Sequence, residues 1–362
     1  MSEKRKWNFF PGPAVLPLPA IKKAQASLVD FNGTGLGFLE TSHRSPQFKA
    51  VMEETKARMK RLLSVPDSHE VLFCQGGANL QFSLVPMNIM GEKKAADYVD
   101  TGTWSTRAIN AAKLEGKVNV VASSEDKSFT YLPKLDEVKW SDDAAYVHMT
   151  SNNTIYGTQY RTFPDTGDKP LVCDMSSDIM SHQLDVSKFG IIYAGAQKNM
   201  GPAGVTVVII DKALAQQSPD TLPPILQYSM YLKKDSAYNT PPTFAIYMVG
   251  LVLEWAEERG GLEAIEKENN QKAELLYSTM DADADFFRGT VAKEDRSYMN
   301  VTMRLPSEEL EKKFLAEAEK RDLAGLKGHR SVGGIRVSMY NAMPLQGIEA
   351  LVAFMKEFRK TA

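Results

Sequence analysis

The sequence predicts an α/β protein, with a mostly parallel sheet covered by helices on both faces and a smaller α/β unit after it. Three observations predict this. Short apolar runs of strand length recur between residues 70 and 211. Helical or polar segments separate several of them. Near residue 260 the pattern changes, and long helices with few short strands take over.

Each element follows from its own residues. Residues 47–64 place Phe48, Val51, Met52, Met59, Leu62 and Leu63 at helical spacing. The run EVLFC then reads as a strand ending at Gln75-Gly76-Gly77, and ANLQFSLVPMNIM resumes as a helix. ADYVD, KVNVVAS, AAYVHMTS, PLVCDMSS, GIIYAGAQ and GVTVVIID read as further buried strands. Phe244 to Glu258 is a strong helix stopped by Gly260-Gly261. A second helix, GLEAIEKENNQKAELLYSTM, leads to the strand YMNVTMRL. Ser307 caps the charged helix SEELEKKFLAEAEKR. Two short strands follow, and a helix from Gln346 to Lys360 comes last.

The totals exclude several classes. The chain has 362 residues, enough for two domains and a sizeable core without disulfides. Its formal charge is −2, which gives no electrostatic case for nucleic acid or an anionic membrane. Pro11, Pro13, Pro17 and Pro19 break up the start, so no signal peptide is expected. The longest apolar stretch, FAIYMVGLVL, is too short to span a bilayer. Cys74 and Cys173 are the only cysteines and sit in apolar runs, which suits a reducing, cytoplasmic setting. No P-loop and no GxSxG elbow is present, and the five histidines lack metal-ligand spacing. No metal is expected. The loop from Asn32 to Gly37 runs G-x-G-x-G with no strand before it, so it is expected to be a flexible loop rather than a dinucleotide site.

The informative pair is Asp174 and Lys198, each just past the end of a buried strand, where open α/β sheets bind ligands. Pyridoxal phosphate chemistry needs such a pair. A lysine amine forms a Schiff base with the cofactor aldehyde, and a carboxylate keeps the pyridine nitrogen protonated. A salt bridge at the sheet edge accounts for the spacing equally well. Gly76-Gly77-Ala78-Asn79, between strand and helix, can offer backbone N–H groups to a phosphate, or serve as an ordinary turn. Trp104 reads as lying in a polar, Gly/Thr-rich loop, TGTWSTRA, and can stack on a flat ring or pack in the core. His43-Arg44, His329-Arg330 and Arg336 repeat a cationic pattern in small-residue loops, which suits a ligand with more than one negative group.

Together AGAQKNMGPAG, FCQGGAN, ETSHRSP, GHRSVGGIRVSMYNAMP and the opening NFFPGPAVLP resemble the phosphoserine aminotransferase family, a class-V branch of the fold-type I pyridoxal-phosphate enzymes. The resemblance runs from about residue 7 onward. It implies a large domain, residues 16–262, with a mostly parallel seven-stranded sheet, and a small domain from residues 1–15 and 263–362. It implies that Lys198 holds pyridoxal 5′-phosphate, Asp174 pairs with the ring nitrogen and Trp104 stacks on the ring. Thr154 would bond near the ring, and Ala78, Asn79 and Gln197 would hold the phosphate. Asn239 and Thr240 would complete the site of a neighbouring subunit in a homodimer. Arg336 would bind the substrate α-carboxylate. His43, Arg44, His329 and Arg330 would receive the phosphate or the glutamate side chain. Some members carry arginine where this chain has Asn79, which shifts more of that load to Arg44 and Arg330. The implied reaction is amino transfer from L-glutamate to 3-phosphohydroxypyruvate, with 4-phosphohydroxy-L-threonine of pyridoxine biosynthesis as a second phosphorylated partner.

Three rival readings remain at this level. A cysteine desulfurase needs a reactive thiol on a mobile loop. An alanine–glyoxylate enzyme needs no double cation set. A non-catalytic binder of an anionic metabolite would not need Lys198.

Overall fold

The computed structural model describes residues 5–362, so the first four residues of the expected 1–15 segment lie outside the described residues. Seven strands form the central sheet: β1 His69–Cys74, β2 Ala95–Asp100, β3 Lys117–Ser123, β4 Val147–Thr150, β5 Leu171–Asp174, β6 Ile191–Gly195 and β7 Thr206–Asp211. Their order across the sheet is β1-β7-β6-β5-β4-β2-β3. The pairs β3–β2, β2–β4, β4–β5 and β5–β6 are parallel, whereas β7 is antiparallel to both β6 and β1.

The reversal of β7 has a local cause. Only residues 196–205 separate it from β6, and a parallel return needs a crossover of about a dozen residues or more, usually helical. The chain therefore turns back as a hairpin, closed by the Ala196 N–H donating to the Val205 carbonyl at 3.0 Å. The C-terminal ends of the parallel strands, at Cys74, Asp100, Thr150, Asp174 and Gly195, meet on one edge of the sheet. The hairpin loop sits on that same edge.

Both faces of the sheet are buried, as a parallel sheet requires, except at the edge strand β3, where KVNVVAS was expected to be buried but no residue is, because only one neighbouring strand covers it. Alternate residues of β5 feed opposite cores: Leu171 and Cys173 join Phe48, Met59 and Val249 on one side, while Val172 joins Leu72, Phe82 and Tyr193 on the other. The helix Pro46–Leu63 begins where expected, with the Ser45 hydroxyl accepting from Phe48 N at 3.2 Å and Pro46 in the first turn. Such a cap contributes about 1 kcal/mol.

A separate core gathers the helices Gly261–Asp281, Glu308–Lys320 and Leu345–Thr361 around an antiparallel sheet of Arg288–Gly289, Asn300–Arg304 and Ile335–Ser338. Phe9 belongs to this core, and Trp7–Asn8 pairs in parallel with Leu323–Ala324. The helix Gly261–Asp281 carries an unexpected residue on its buried stripe. Lys272 is fully buried, and its ammonium donates to the carbonyls of Met339, Tyr340 and Met343 at 3.2, 3.0 and 2.9 Å. Among the described residues, no helix is long and apolar enough to cross a membrane.

Candidate active site

The sheet edge opens into a cavity lined by Gly77, Ala78, Asn79, Trp104, Thr150, Asn152, Thr154, Asp174, Ser176, Ser177, Gln197, Lys198 and the 203–205 turn, among others. Seven of the expected site residues are thus brought together: Ala78, Asn79, Trp104, Thr154, Asp174, Gln197 and Lys198. Sheet topology explains the convergence. Asp174 ends β5, Thr154 follows β4, and Lys198 rides the β6–β7 hairpin loop.

Lys198 donates to Thr154 Oγ1 at 2.6 Å and to Ser177 Oγ at 2.8 Å. Burial lowers its pKa to about 8, against the opposing pull of Asp174; Arg336 adds to the lowering. The amine is therefore held among hydroxyls rather than locked to one carboxylate. Asp174 Oδ1 accepts from the Ser176 N–H at 2.9 Å and the Ser176 hydroxyl at 2.7 Å. Burial raises the pKa of this carboxyl, against the Ser176 hydrogen bonds and the charge of Lys198. A buried carboxylate with only neutral donors in contact is suited to a ligand that brings a positive charge.

At the other end of the cavity the helix Gly77–Ile89 points its first turn inward. Gly76 and Gly77 take φ of +84° and +65° at the start of this helix, and Gly77, Ala78 and Asn79 of its first turn line the cavity. This is a ready anion cradle. Trp104 corrects the expected loop placement, for it lies in the first turn of the helix Thr103–Ala112. The helix starts so abruptly because the Asp100 carboxylate accepts from the hydroxyls of Ser105 and Thr106 at 2.8 and 3.0 Å. The indole Nε1 is buried without a partner among the described residues, as is Arg336 Nε.

Arg336 is buried on the strand Ile335–Ser338, and one of its nitrogens donates to the Thr154 carbonyl at 3.3 Å. It makes no ion pair with a carboxylate among the described residues. An unpaired buried guanidinium beside an unpaired lysine calls for an anionic ligand. The remaining expected residues stand apart within this chain. His43, His329, Arg44 and Arg330 lie outside the cavity lining, the histidines half-buried and the arginines exposed. Asn239 and Thr240 are exposed beside Tyr238.

Three features escaped the sequence reading. Ser176 and Ser177 directly follow Asp174, so the doublet in PLVCDMSS was the available signal. Gly12 brings the N-terminal segment against the site: a Cβ there would meet Lys198 Cγ at 3.3 Å, and the Ala14 N–H donates to the Gln197 carbonyl at 2.9 Å. The motif NFFPGP gave no distance to Lys198. Arg107 packs its guanidinium over Trp104, 4.9 Å from the ring centroid. Both cysteines are fully buried, and burial pushes the Cys74 thiol up to about 12 and raises Cys173 as well. Neither is a thiolate on a loop, which removes the basis for a desulfurase.

The aminotransferase class-V family profile matches residues 6–351. The chain belongs to the class-V aminotransferase family. It is 55% identical to the phosphoserine aminotransferase of Geobacillus kaustophilus over 357 residues, covering 99% of each chain. It is 57% identical to that of Desulfosudis oleivorans over 360 residues, again covering 99% of each. Among solved structures, the phosphoserine aminotransferase of Bacillus circulans subsp. alkalophilus superposes with a TM-score of 0.97 at 52% identity, over 99% of both chains. The PLP-bound phosphoserine aminotransferase of Trichomonas vaginalis superposes with a TM-score of 0.92 at 38% identity, over 97% of this chain and 100% of that one. These matches bear out the expected α/β fold of the fold-type I enzymes.

Proposed function

We propose that this class-V aminotransferase is a pyridoxal-phosphate-dependent phosphoserine aminotransferase. It passes the amino group of L-glutamate to 3-phosphohydroxypyruvate in two half-reactions, giving 2-oxoglutarate and O-phospho-L-serine. The observation that carries the reading is Lys198, a half-buried amine with a lowered pKa, acted on by the buried carboxylate of Asp174 and the unpaired guanidinium of Arg336. Full-length identity to phosphoserine aminotransferases supports it.

The cavity fits the cofactor. Asp174, lacking a cation in contact, would pair with the protonated ring nitrogen. Trp104 would stack on the ring, and Thr154 would bond beside it. Ala78, Asn79 and Gln197, at the cradle and the hairpin loop, would hold the phosphate. When bound, pyridoxal phosphate supplies the electron sink that lets a substrate Cα release its proton. Lys198 Nζ takes that proton and returns it, as base and then acid, which requires the neutral amine that burial favours. Arg336 orients the substrate by its α-carboxylate, so that the Cα faces Lys198. His43, Arg44, His329 and Arg330 receive the far anionic group, a phosphate in one half-reaction and a carboxylate in the other.

The active unit is a homodimer, in which Asn239 and Thr240 complete the neighbouring phosphate site. Exposed apolar side chains support this, with Val29 84% and Leu39 62% exposed on the segment preceding His43 and Arg44. Residues 16–262 form the large domain, and residues 1–15 with 263–362 form the small one. The two apolar cores support this division to within a helical turn, since Leu262 and Ile265 join the first core and Phe9 and Ala273 join the second. Two buried free cysteines suit a cytoplasmic setting.

The test is the absorbance spectrum of the cofactor-loaded protein. A yellow band should be bleached by glutamate and restored by 3-phosphohydroxypyruvate, but not by pyruvate or glyoxylate. Lys198→Ala should bind cofactor yet turn over at least ~10²-fold slower. A loaded protein that glutamate does not bleach would rule the reading out.

A further inference from the structure

Arg107 has no role in the reading above, yet its surroundings single it out. It sits on the helix Thr103–Ala112, one turn beyond Trp104, with its guanidinium carbon 4.9 Å from the indole centroid. The same indole lines the cavity and lies 5.9 Å from Lys198 Nζ. Trp104 therefore has the reactive amine and the Arg107 cation within reach of one ring.

Arg107 is solvent-exposed, but among the described residues no carboxylate pairs with it and no hydrogen bond holds it. Exposed Arg61 and Arg259 instead bridge to Glu257 and Glu268, whereas Arg44 and Arg330, the cations expected at the far end of the substrate, and Arg161, which packs on Tyr298, also lack an ion pair among the described residues. An arginine kept free of acids, and held in place only by an aromatic face, is available to an anion.

Its neighbours point the same way. The pKa of His329 is lowered first by burial and then by the charges of Arg336, Arg330 and Arg107. Three separate elements thus converge near His329: the helix bearing Arg107, the loop bearing His329 and Arg330, and the strand bearing Arg336. Of these cations Arg336 is the buried one, beside Lys198 and suited to the α-carboxylate. Arg107 is the exposed one, set against Trp104 of the cavity wall and close enough for its charge to act on His329, one of the residues expected to receive the far end of the substrate.

We propose that Arg107 is a specificity-determining residue that helps hold the phosphate end of the acceptor substrate and favours it over a carboxylate. This rests on the phosphoserine aminotransferase reading. A phosphate near neutral pH carries close to two negative charges, against one for a carboxylate. An added guanidinium therefore attracts the phosphorylated substrate more strongly and offers its planar fork to the phosphate oxygens. Because Arg107 is exposed, salt should weaken its contribution.

The experiment compares cofactor-loaded wild type, Arg107→Ala and Arg107→Lys. Each half-reaction is followed separately at low and high ionic strength, together with the cofactor dissociation constant and competitive inhibition by inorganic phosphate. Arg107→Ala should lower kcat/KM for 3-phosphohydroxypyruvate about tenfold, mainly through KM, and weaken phosphate inhibition. The glutamate half-reaction should fall by less than about threefold, with cofactor binding unchanged. Arg107→Lys should recover part of the loss, and high salt should shrink it. An equal fall for both substrates, or weaker cofactor binding, would show that Arg107 merely braces Trp104 and would overturn the proposal. So would an unchanged KM for the phosphorylated acceptor. Wild type that is bleached by glutamate but unresponsive to that acceptor would instead sink the parent reading, visibly and before any variant is compared.

Discussion

At the scale of single residues, Arg336 and Lys198 share a property: each is a cationic or potentially cationic group at least half-buried at the site, with no carboxylate in contact among the described residues. Leaving a guanidinium in that state costs stability, so a ligand that supplies the missing anion recovers it as affinity. Arg336→Ala should raise KM for both substrates by about 10- to 100-fold, the worth of a charge-assisted hydrogen bond. Arg336→Lys should recover little, since one ammonium cannot copy the fork. Steady-state kinetics with each substrate in turn would check both statements. The sequence made Lys198, Asp174 and Arg336 visible because each interrupts or closes an apolar run. It could not make Arg107 or Gly12 visible, because what marks them is a distance across the fold to Trp104 and to Lys198.

At the scale of elements, the β6–β7 hairpin decides where Lys198 goes. Its antiparallel turn was implicit in the short spacing between GIIYAGAQ and GVTVVIID, since a parallel return would not fit. The strands themselves were legible from their apolar runs, and one helix start from Ser307. Lys272 was not, because a lysine in KENNQKAELL reads as part of a solvated face. Its clue was register: Lys272 falls on the same stripe as Ile265, Asn269 and Leu276. Lys272→Met would leave three buried carbonyls without their donor. The loss should be on the order of 3 kcal/mol, read from the midpoint of denaturant unfolding. Strand β4 carries a second buried titratable group. Burial lowers the pKa of His148 to about 3 from 6.5, with its ring stacked on Tyr98 and bonded to the Tyr193 hydroxyl at 2.8 Å. The folded protein thus keeps this ring neutral over a range where the unfolded chain takes up a proton. Its contribution to stability is full above pH 6.5 and is lost as pH falls toward 3. The slope is at most about 1.4 kcal/mol per pH unit. His148→Gln should flatten the acid side of the stability curve, measured by thermal or urea unfolding between those limits.

At the scale of the whole molecule, the dimer proposal makes a prediction that no single chain can satisfy. Lys198→Ala and Thr240→Ala should each impair turnover, one through its own site and one through its neighbour's. Mixed dimers of the two would contain one site with both residues intact, so unfolding and refolding the pair together should recover activity that neither shows alone. Failure to recover any would mean that Asn239 and Thr240 do not serve a neighbouring subunit. The exposed segment around Val29 and Leu39 was legible only as a loop, since exposure depends on what the rest of the fold leaves uncovered.

The pairing of Trp7–Asn8 with Leu323–Ala324 has a further consequence, in the order of events on the ribosome. Synthesis makes the first of these partners about 315 residues before the second. All seven strands of the central sheet are available long before then. During that interval the aromatic stretch Trp7, Phe9 and Phe10 has no finished surface to join, although Phe9 becomes wholly buried in the mature chain. A nascent chain halted at residue 300 would therefore hold most of the cavity lining while Trp7, Phe9 and Phe10 still lacked the surface they join in the mature fold.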